Sequence, residues 1–334
     1  MEETQTFWYA LQPKNVPHFT FLRLPLVEHA FDISPTLTAE YIVTTIERYL
    51  ILLHENHMNQ PGRKMKPSEK QALATTSAAE SLVLQEEGNG VATLTLNRPK
   101  QFNALSEAML AALQEKLEAI AENEAVRLVI LQGAGKVFCA GHDLKEMIAT
   151  RKETYYQTLF KQCSKMMITL NQMPQPVIAR IHGIATAAGC QLVAACDLAV
   201  AADDARFATS GINVGLFCST PAVPVSRNIP RKQAMELLLT GEFIDAQTAL
   251  RWGLINRTSP LEKLDEEIKK LADSILAKSS VAVSTGKKMF YKQIELNIKD
   301  AYAFAGEIMA CNMMAEDVTE GVDAFINKRQ MEDH

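Results

Sequence analysis

Fourteen of the fifteen glycines lie after residue 80, and beyond that point short apolar strands repeatedly give way to helices through glycine-containing loops. Glycine adopts positive φ without strain, so turns and ligand loops draw on it. Strands alternating with helical stretches point to an α/β fold with its ligand loops at the strand ends. Residues 83–84 and 91–96 alternate like a hairpin around Asn89-Gly90, a strong turn signal. Ser106 is placed to cap an amphipathic helix through Ala121, with Leu110, Leu113, Leu117 and Ile120 on its apolar side. Buried strands are expected at 128–131, 177–181 and 198–202. From Pro221 onward helical period dominates, at about 230–240, 245–252, 261–278, 281–297 and 299–328. Met166-Met167 and Met313-Met314 are expected to lie in helix cores.

Residues 1–80 read differently. They hold four of the seven histidines and six of the thirteen prolines, but only Gly62 among the glycines. One helix is expected over 38–54, with Ile42, Ile46, Tyr49, Leu50 and Leu53 on one face, before Pro61-Gly62 breaks the pattern. The segment reads as an accessory extension, or as the product of a start-site error with translation beginning at Met65. His54 and His57 stand three apart with no third ligand nearby, which fits solvated helix-end histidines better than a metal site. The expected organisation is an extension over 1–80, an α/β core over 81–275 and a helical region over 276–334.

Composition narrows the function. The 334 residues carry 34 Lys+Arg and 39 Asp+Glu with no block of five like charges, which argues against a nucleic-acid surface. The longest apolar run is too short to span a bilayer. Six cysteines form no CxxC pair and no zinc-ligand spacing, so no metal is expected and the thiols read as reduced, buried small hydrophobes. With no secretory signal, and acidic residues where a mitochondrial presequence would be basic, the expected compartment is cytoplasmic, with mitochondrial as the alternative.

Two loops carry the chemistry. Residues 136–147 include Cys139-Ala140-Gly141-His142-Asp143-Leu144, and residues 182–192 include Ala185-Thr186-Ala187-Ala188-Gly189-Cys190-Gln191. Each runs from a strand end into a helix, and the small residues of the second allow close approach of a ligand or another backbone. Facing loops of this kind would offer two backbone donors to one oxyanion. Gly133-Ala134-Gly135 lacks the third glycine of a dinucleotide fingerprint, and Gly135-Lys136 lacks the remainder of a P-loop.

These loops, together with Asn97-Arg98-Pro99-Lys100-Gln101-Phe102-Asn103-Ala104-Leu105, Leu239-Thr240-Gly241-Glu242 and the closing run from Glu320 to Arg329, appear in an order that resembles the enoyl-CoA hydratase/isomerase (crotonase) superfamily. The resemblance covers about 81–329. Phe207-Ala208-Thr209 followed by 211–221 is similar to its enoyl-CoA hydratase domain-containing protein 3 subgroup. The resemblance implies a spiral of ββα turns with a C-terminal helical trimerisation region, assembled as a homotrimer or a dimer of trimers. It implies an acyl-CoA ligand, with CoA as part of the substrate and no separate cofactor. The thioester oxygen would accept hydrogen bonds from the backbone N–H groups of His142 and Ala188. CoA would run past Lys100, Phe102, Ala140, Asp143 and Leu144, with Gly189 and Gly211 also at the substrate, while Phe325 and Lys328 would reach a neighbouring subunit's ligand.

The family's two catalytic glutamates correspond to Gln191 and Gly211 here. Hydration needs one carboxylate to activate water and one to handle the α-carbon proton. An amide orients but does not shuttle protons, and glycine supplies only space. Candidate substitutes are Asp143, Glu146, His142, Cys218 and Ser210, none compelling; Asp143 and Glu146 fit loop structure or CoA contact, and His142 fits a pocket wall. The expectation is therefore an acyl-CoA-binding protein with the family's lyase or isomerase activity in fatty acid metabolism in doubt. The alternative is a non-catalytic acyl-CoA sensor, carrier or regulatory subunit.

Overall fold

The computed structural model describes residues 81–327. The N-terminal extension, its expected helix, His54, His57 and Lys328 lie outside the described residues. The chain enters as a hairpin: β1 (Val83–Gly88) pairs antiparallel with β2 (Val91–Leu96) across a turn in which Asn89 and Gly90 take φ of 52° and 76°. Both are left-handed, as a two-residue hairpin turn requires. Strand β2 then pairs in parallel with β3 (Leu128–Gly133), and the sheet continues through β4 (Val177–Ile181), β6 (Leu198–Ala202) and β9 (Arg257–Ser259). A second sheet of β5 (Ile184–Thr186), β7 (Arg206–Ala208) and β8 (Ile244–Asp245) lies in the order β5-β7-β8. Strands β4 and β5, and then β6 and β7, are consecutive but belong to different sheets, so the chain winds as successive ββα turns.

The helices close both faces. After α1 (Glu107–Ala121) come α2 (Leu144–Ala149), α3 (Glu153–Gln172), α4 (Ala188–Ala195) and α5 (Ser219–Asn228). They are followed by α6 (Arg231–Thr240), α7 (Ala246–Trp252), α8 (Leu264–Leu276), α9 (Ser280–Gln293), α10 (Ile298–Asn312) and α11 (Glu316–Ile326). Alternation along the strands sorts the core: Leu128, Ile178 and Val200 pack with Leu264, Ile268 and Ala272 of α8. Val129, Leu131, Ala179 and Ile181 join α1, α3 and α4 on the other face. Ser106 caps α1 by accepting from the Met109 N–H at 3.2 Å.

Three expectations need correction. The stretch 299–328 is not one helix: it breaks at Met313, so α10 and α11 are separate. Met166 and Met167 are core residues, but Met313 and Met314 are 52% and 83% exposed at that break. Five cysteines are buried and unpaired, whereas Cys311 is exposed on α10. All three corrections fall on a helical arm whose apolar side is not covered by the rest of the described chain, so apolar composition did not translate into burial. Strands β8 and β9, inside the stretch read as helical, are too short to show a period.

Candidate active site

The first loop is pinned from beneath by an asparagine. Asn103, fully buried and at a left-handed φ of 54°, directs Nδ2 to the carbonyls of Ala134, Val137 and Phe138 at 2.8, 2.9 and 3.1 Å. Its Oδ1 accepts the Arg98 N–H at 3.0 Å. Arg98 in turn pairs with Asp143 at 3.2 Å, and Asp143 caps α2 by accepting from the N–H groups of Lys145 and Glu146. The Glu146 carboxylate accepts the Glu107 N–H at 3.1 Å, tying α2 to the start of α1. Asp143 and Glu146 are thus engaged in holding the loop, and neither lines the adjoining cavity. The sequence reading assigned no role to Asn103 or Arg98. The one available signal was an amide placed between Phe102 and Ala104 in an otherwise apolar run.

This scaffold orients the His142 backbone. The Leu105 N–H donates to the Gly141 carbonyl at 2.8 Å, and the Leu105 carbonyl accepts from the Asp143 N–H at 3.4 Å. Both bonds of this parallel bridge go to the residues flanking His142, so the His142 N–H faces the opposite side. It donates to none of the described residues.

The second donor comes from α4. Ala187 precedes the helix at φ 50° and ψ −120°, a strained conformation for a residue with a side chain, and its N–H is held by the Ala208 carbonyl at 3.0 Å. Ala188 is the first helical residue, so its N–H has no intrahelical acceptor. The two loops touch: a Cβ on Gly141 would lie 2.9 Å from the Ala187 Cβ and 3.1 Å from the Ala188 nitrogen. Gly189 packs as closely, since a Cβ there would lie 2.1 Å from the Cys139 carbonyl oxygen.

Beside these donors is a cavity of about 200 Å³. Ala140, His142, Leu144, Ala188, Gly211 and Cys218 line it together with Met147, Phe160 and residues 214–221. Among the described residues that line it, none carries a formal charge at neutral pH. His142 Nδ1 lies 3.3 Å from the Leu105 carbonyl, while Nε2 is buried without a described partner. Burial pushes the His142 pKa below its ordinary value, against the smaller opposing effect of that hydrogen bond, so the ring is neutral. Burial raises the Cys218 pKa and moves the Cys139 and Cys190 thiols up to about 12.

The remaining expected residues scatter around this centre. Gln191 is 3% exposed, does not line the cavity and leaves its Oε1 buried without a described partner. Lys100 and Phe102 are exposed, with the Phe102 carbonyl accepting the Ala140 N–H at 3.0 Å. Phe325 is 84% exposed on α11 and is not part of the cavity wall. Ser210 exchanges a hydrogen bond of 2.7 Å with Thr186. At Gly211 an added Cβ would lie 2.6 Å from the Leu216 carbonyl oxygen and 2.8 Å from the Cys218 sulfur, so the loop closes over the space a longer side chain would enter. A larger cleft of about 560 Å³, lined by Glu122, Arg127, Gln175 and Leu276, contains none of these residues. Among the described residues there is no cluster of three potential metal ligands.

The chain is similar to known proteins over most of its length. The family model described as enoyl-CoA hydratase/isomerase matches residues 86–333. The mitochondrial enoyl-CoA hydratase domain-containing protein 3 of Rattus norvegicus is 46% identical over 242 residues, 72% of this chain and 81% of that protein. The crystal structure of the human enoyl coenzyme A hydratase domain-containing protein 3 superposes with a TM-score of 0.73 at 43% identity, covering 75% of this chain and 99% of that one. An enoyl-CoA hydratase from Mycobacterium smegmatis superposes with a TM-score of 0.75 at 59% identity, covering 76% and 99%.

Proposed function

Because the chain belongs to the enoyl-CoA hydratase/isomerase (crotonase) family, we propose that it binds acyl-CoA thioesters with the carbonyl oxygen held between the N–H groups of His142 and Ala188. One observation carries this reading: two unpartnered backbone donors on touching loops, beside a small apolar cavity. Charge developing on a thioester oxygen would meet oriented dipoles that need no reorganisation, and losing one such donor typically costs about 10²–10³ in rate. CoA would cross the rim formed by Lys100, Phe102, Ala140 and Leu144. Phe325 and Lys328 of a second copy would contact it, within a homotrimer or a dimer of trimers.

Hydration is not part of the proposal. No carboxylate lines the cavity among the described residues, and the position of the family's second glutamate is a glycine enclosed by its own loop. The same observation favours a second reading, in which the thioester is bound without turnover as in a sensor or carrier. The mitochondrial label on the rat relative favours that compartment over the cytoplasmic one. Calorimetry with a series of acyl-CoAs tests the binding reading, with micromolar or tighter affinity expected, and a crotonyl-CoA assay should give hydration close to the buffer rate. Absence of binding to every thioester contradicts the proposal, and robust hydration lost in Gln191→Ala contradicts the exclusion.

A further inference from the structure

The larger cleft, of about 560 Å³, shares no lining residue with the small cavity and has no part in the thioester reading. It is walled by the end of α1, the residues before β4, and the junction of α8 with α9. Its volume falls within the roughly 300–1,000 Å³ of pockets that enclose small organic ligands. The polar groups of this wall form two sets, and each is short of partners.

One set accepts. Gln175 is 5% exposed and donates its Nε2 to the Ile120 carbonyl at 2.8 Å, which leaves Oε1 buried with no described partner. A buried acceptor in that state is costly until a donor reaches it. Glu122 and Glu124, both exposed, add two carboxylates to the same cleft. The other set donates. Helix α9 begins here, and the Ser279 hydroxyl accepts only the Ala282 N–H, at 3.2 Å. The Ser280 and Val281 N–H groups therefore have no described acceptor, at the positive end of a fourteen-residue helix. Arg127 donates one terminal nitrogen to the Lys278 carbonyl, and its Nε is buried with no described partner. Val126, Ile275 and Leu276 supply apolar wall.

A lone cation would satisfy the first set and a lone anion the second, but a zwitterion suits both. We propose that this cleft binds short apolar peptides with free ends, dipeptides above all. The ammonium end would meet Glu122 and Glu124, and the carboxylate would meet Arg127 and the start of α9. The central amide N–H would donate to Gln175 Oε1. Apolar side chains would leave water against Val126, Ile275 and Leu276. Capture of a free amine and a free carboxylate is a recurring mode of peptide recognition, and charge-assisted bonds to both ends separate free from capped forms. A single amino acid has no amide for Gln175.

Calorimetry of the full chain with L-leucyl-L-leucine should give a saturable isotherm with Kd below about 1 mM. N-acetyl-leucyl-leucine, which lacks the ammonium, and leucyl-leucine amide, which lacks the carboxylate, should each bind at least about tenfold more weakly. That is the scale of one charge-assisted hydrogen bond. Arg127→Met should weaken leucyl-leucine by a similar factor with the circular dichroism unchanged. The double variant Glu122→Gln/Glu124→Gln, at two exposed positions, should do the same and serves if Arg127→Met unfolds. No heat of binding at millimolar leucyl-leucine overturns the proposal, as does equal affinity for the free and both capped forms. Full affinity in the double variant together with full affinity in a folded Arg127→Met would place the peptide elsewhere and overturn it as well.

Discussion

At the scale of single residues, the site is defined as much by what fits as by what reacts. On the proposed reading Gly211 takes the place of a family acid or base, but restoring a carboxylate there would not restore that chemistry. Any Cβ there meets the Leu216 carbonyl and the Cys218 sulfur. Gly211→Glu should therefore leave crotonyl-CoA hydration at the buffer rate and lower Tm, an effect of about 1–3 kcal/mol for overpacking. His142 gives a second expectation. Its folded-state pKa lies below the unfolded value, so the folded state binds fewer protons and stability falls as pH drops below about 6.5 toward the folded pKa. His142→Gln should flatten part of that acid limb in denaturant titrations between pH 7 and 5. A residual slope remains from His182, whose burial shifts it in the same direction. The residues singled out from the sequence, such as His142, Ala188 and Gln191, lie in runs that resemble the family's motifs. Asn103 and Arg98 escaped because their work consists of hydrogen bonds to carbonyls and a carboxylate distant in sequence, which leave no period or spacing.

At the scale of elements, long periodic segments were legible and short ones were not. Helix α1 and strands β4 and β6 lie where apolar spacing places them, since the helix buries one continuous face and the two strands are short apolar runs buried on both faces. Strand β9 has three residues and owes its conformation to pairing with β6, which sequence pattern does not report. Helix α9 is fastened by a buried ion pair. The Lys287 ammonium donates to Asp197 at 2.7 Å and to the carbonyls of Leu170 and Gln175 at 2.7 and 2.8 Å. Asp197 also accepts the Val177 N–H at 2.7 Å, so one carboxylate joins the start of β4 to α9. Lys287→Met leaves that carboxylate without its cation, with an expected loss of about 3–5 kcal/mol in urea unfolding. Adding Asp197→Asn to that variant should recover part of the loss, because it removes the uncompensated charge.

At the scale of the molecule, the α/β class followed from the alternation of elements, whereas the ββα winding and the assembly were implied by the family resemblance. Helices α10 and α11 and the turn between them expose Ile298, Tyr302, Met309, Met314, Phe325 and Ile326, each 70% or more accessible. So many exposed large apolar side chains on two successive helices are what an interaction face presents. Light scattering on the full chain at micromolar concentration should give three times, or six times, the 37.0 kDa of one chain. A strictly monomeric mass would contradict the assembly expected of the family. Within such an assembly Phe325 would be removed from solvent, and only there would its expected contact with a neighbour's CoA arise. The most direct measurement of the central claim is a crystal structure of the complex with butyryl-CoA. The thioester oxygen should lie about 2.7–3.1 Å from the backbone nitrogens of both His142 and Ala188, with the acyl chain against Cys218 and Gly211. A thioester oxygen bonded elsewhere, with either nitrogen left unpaired, would contradict the account.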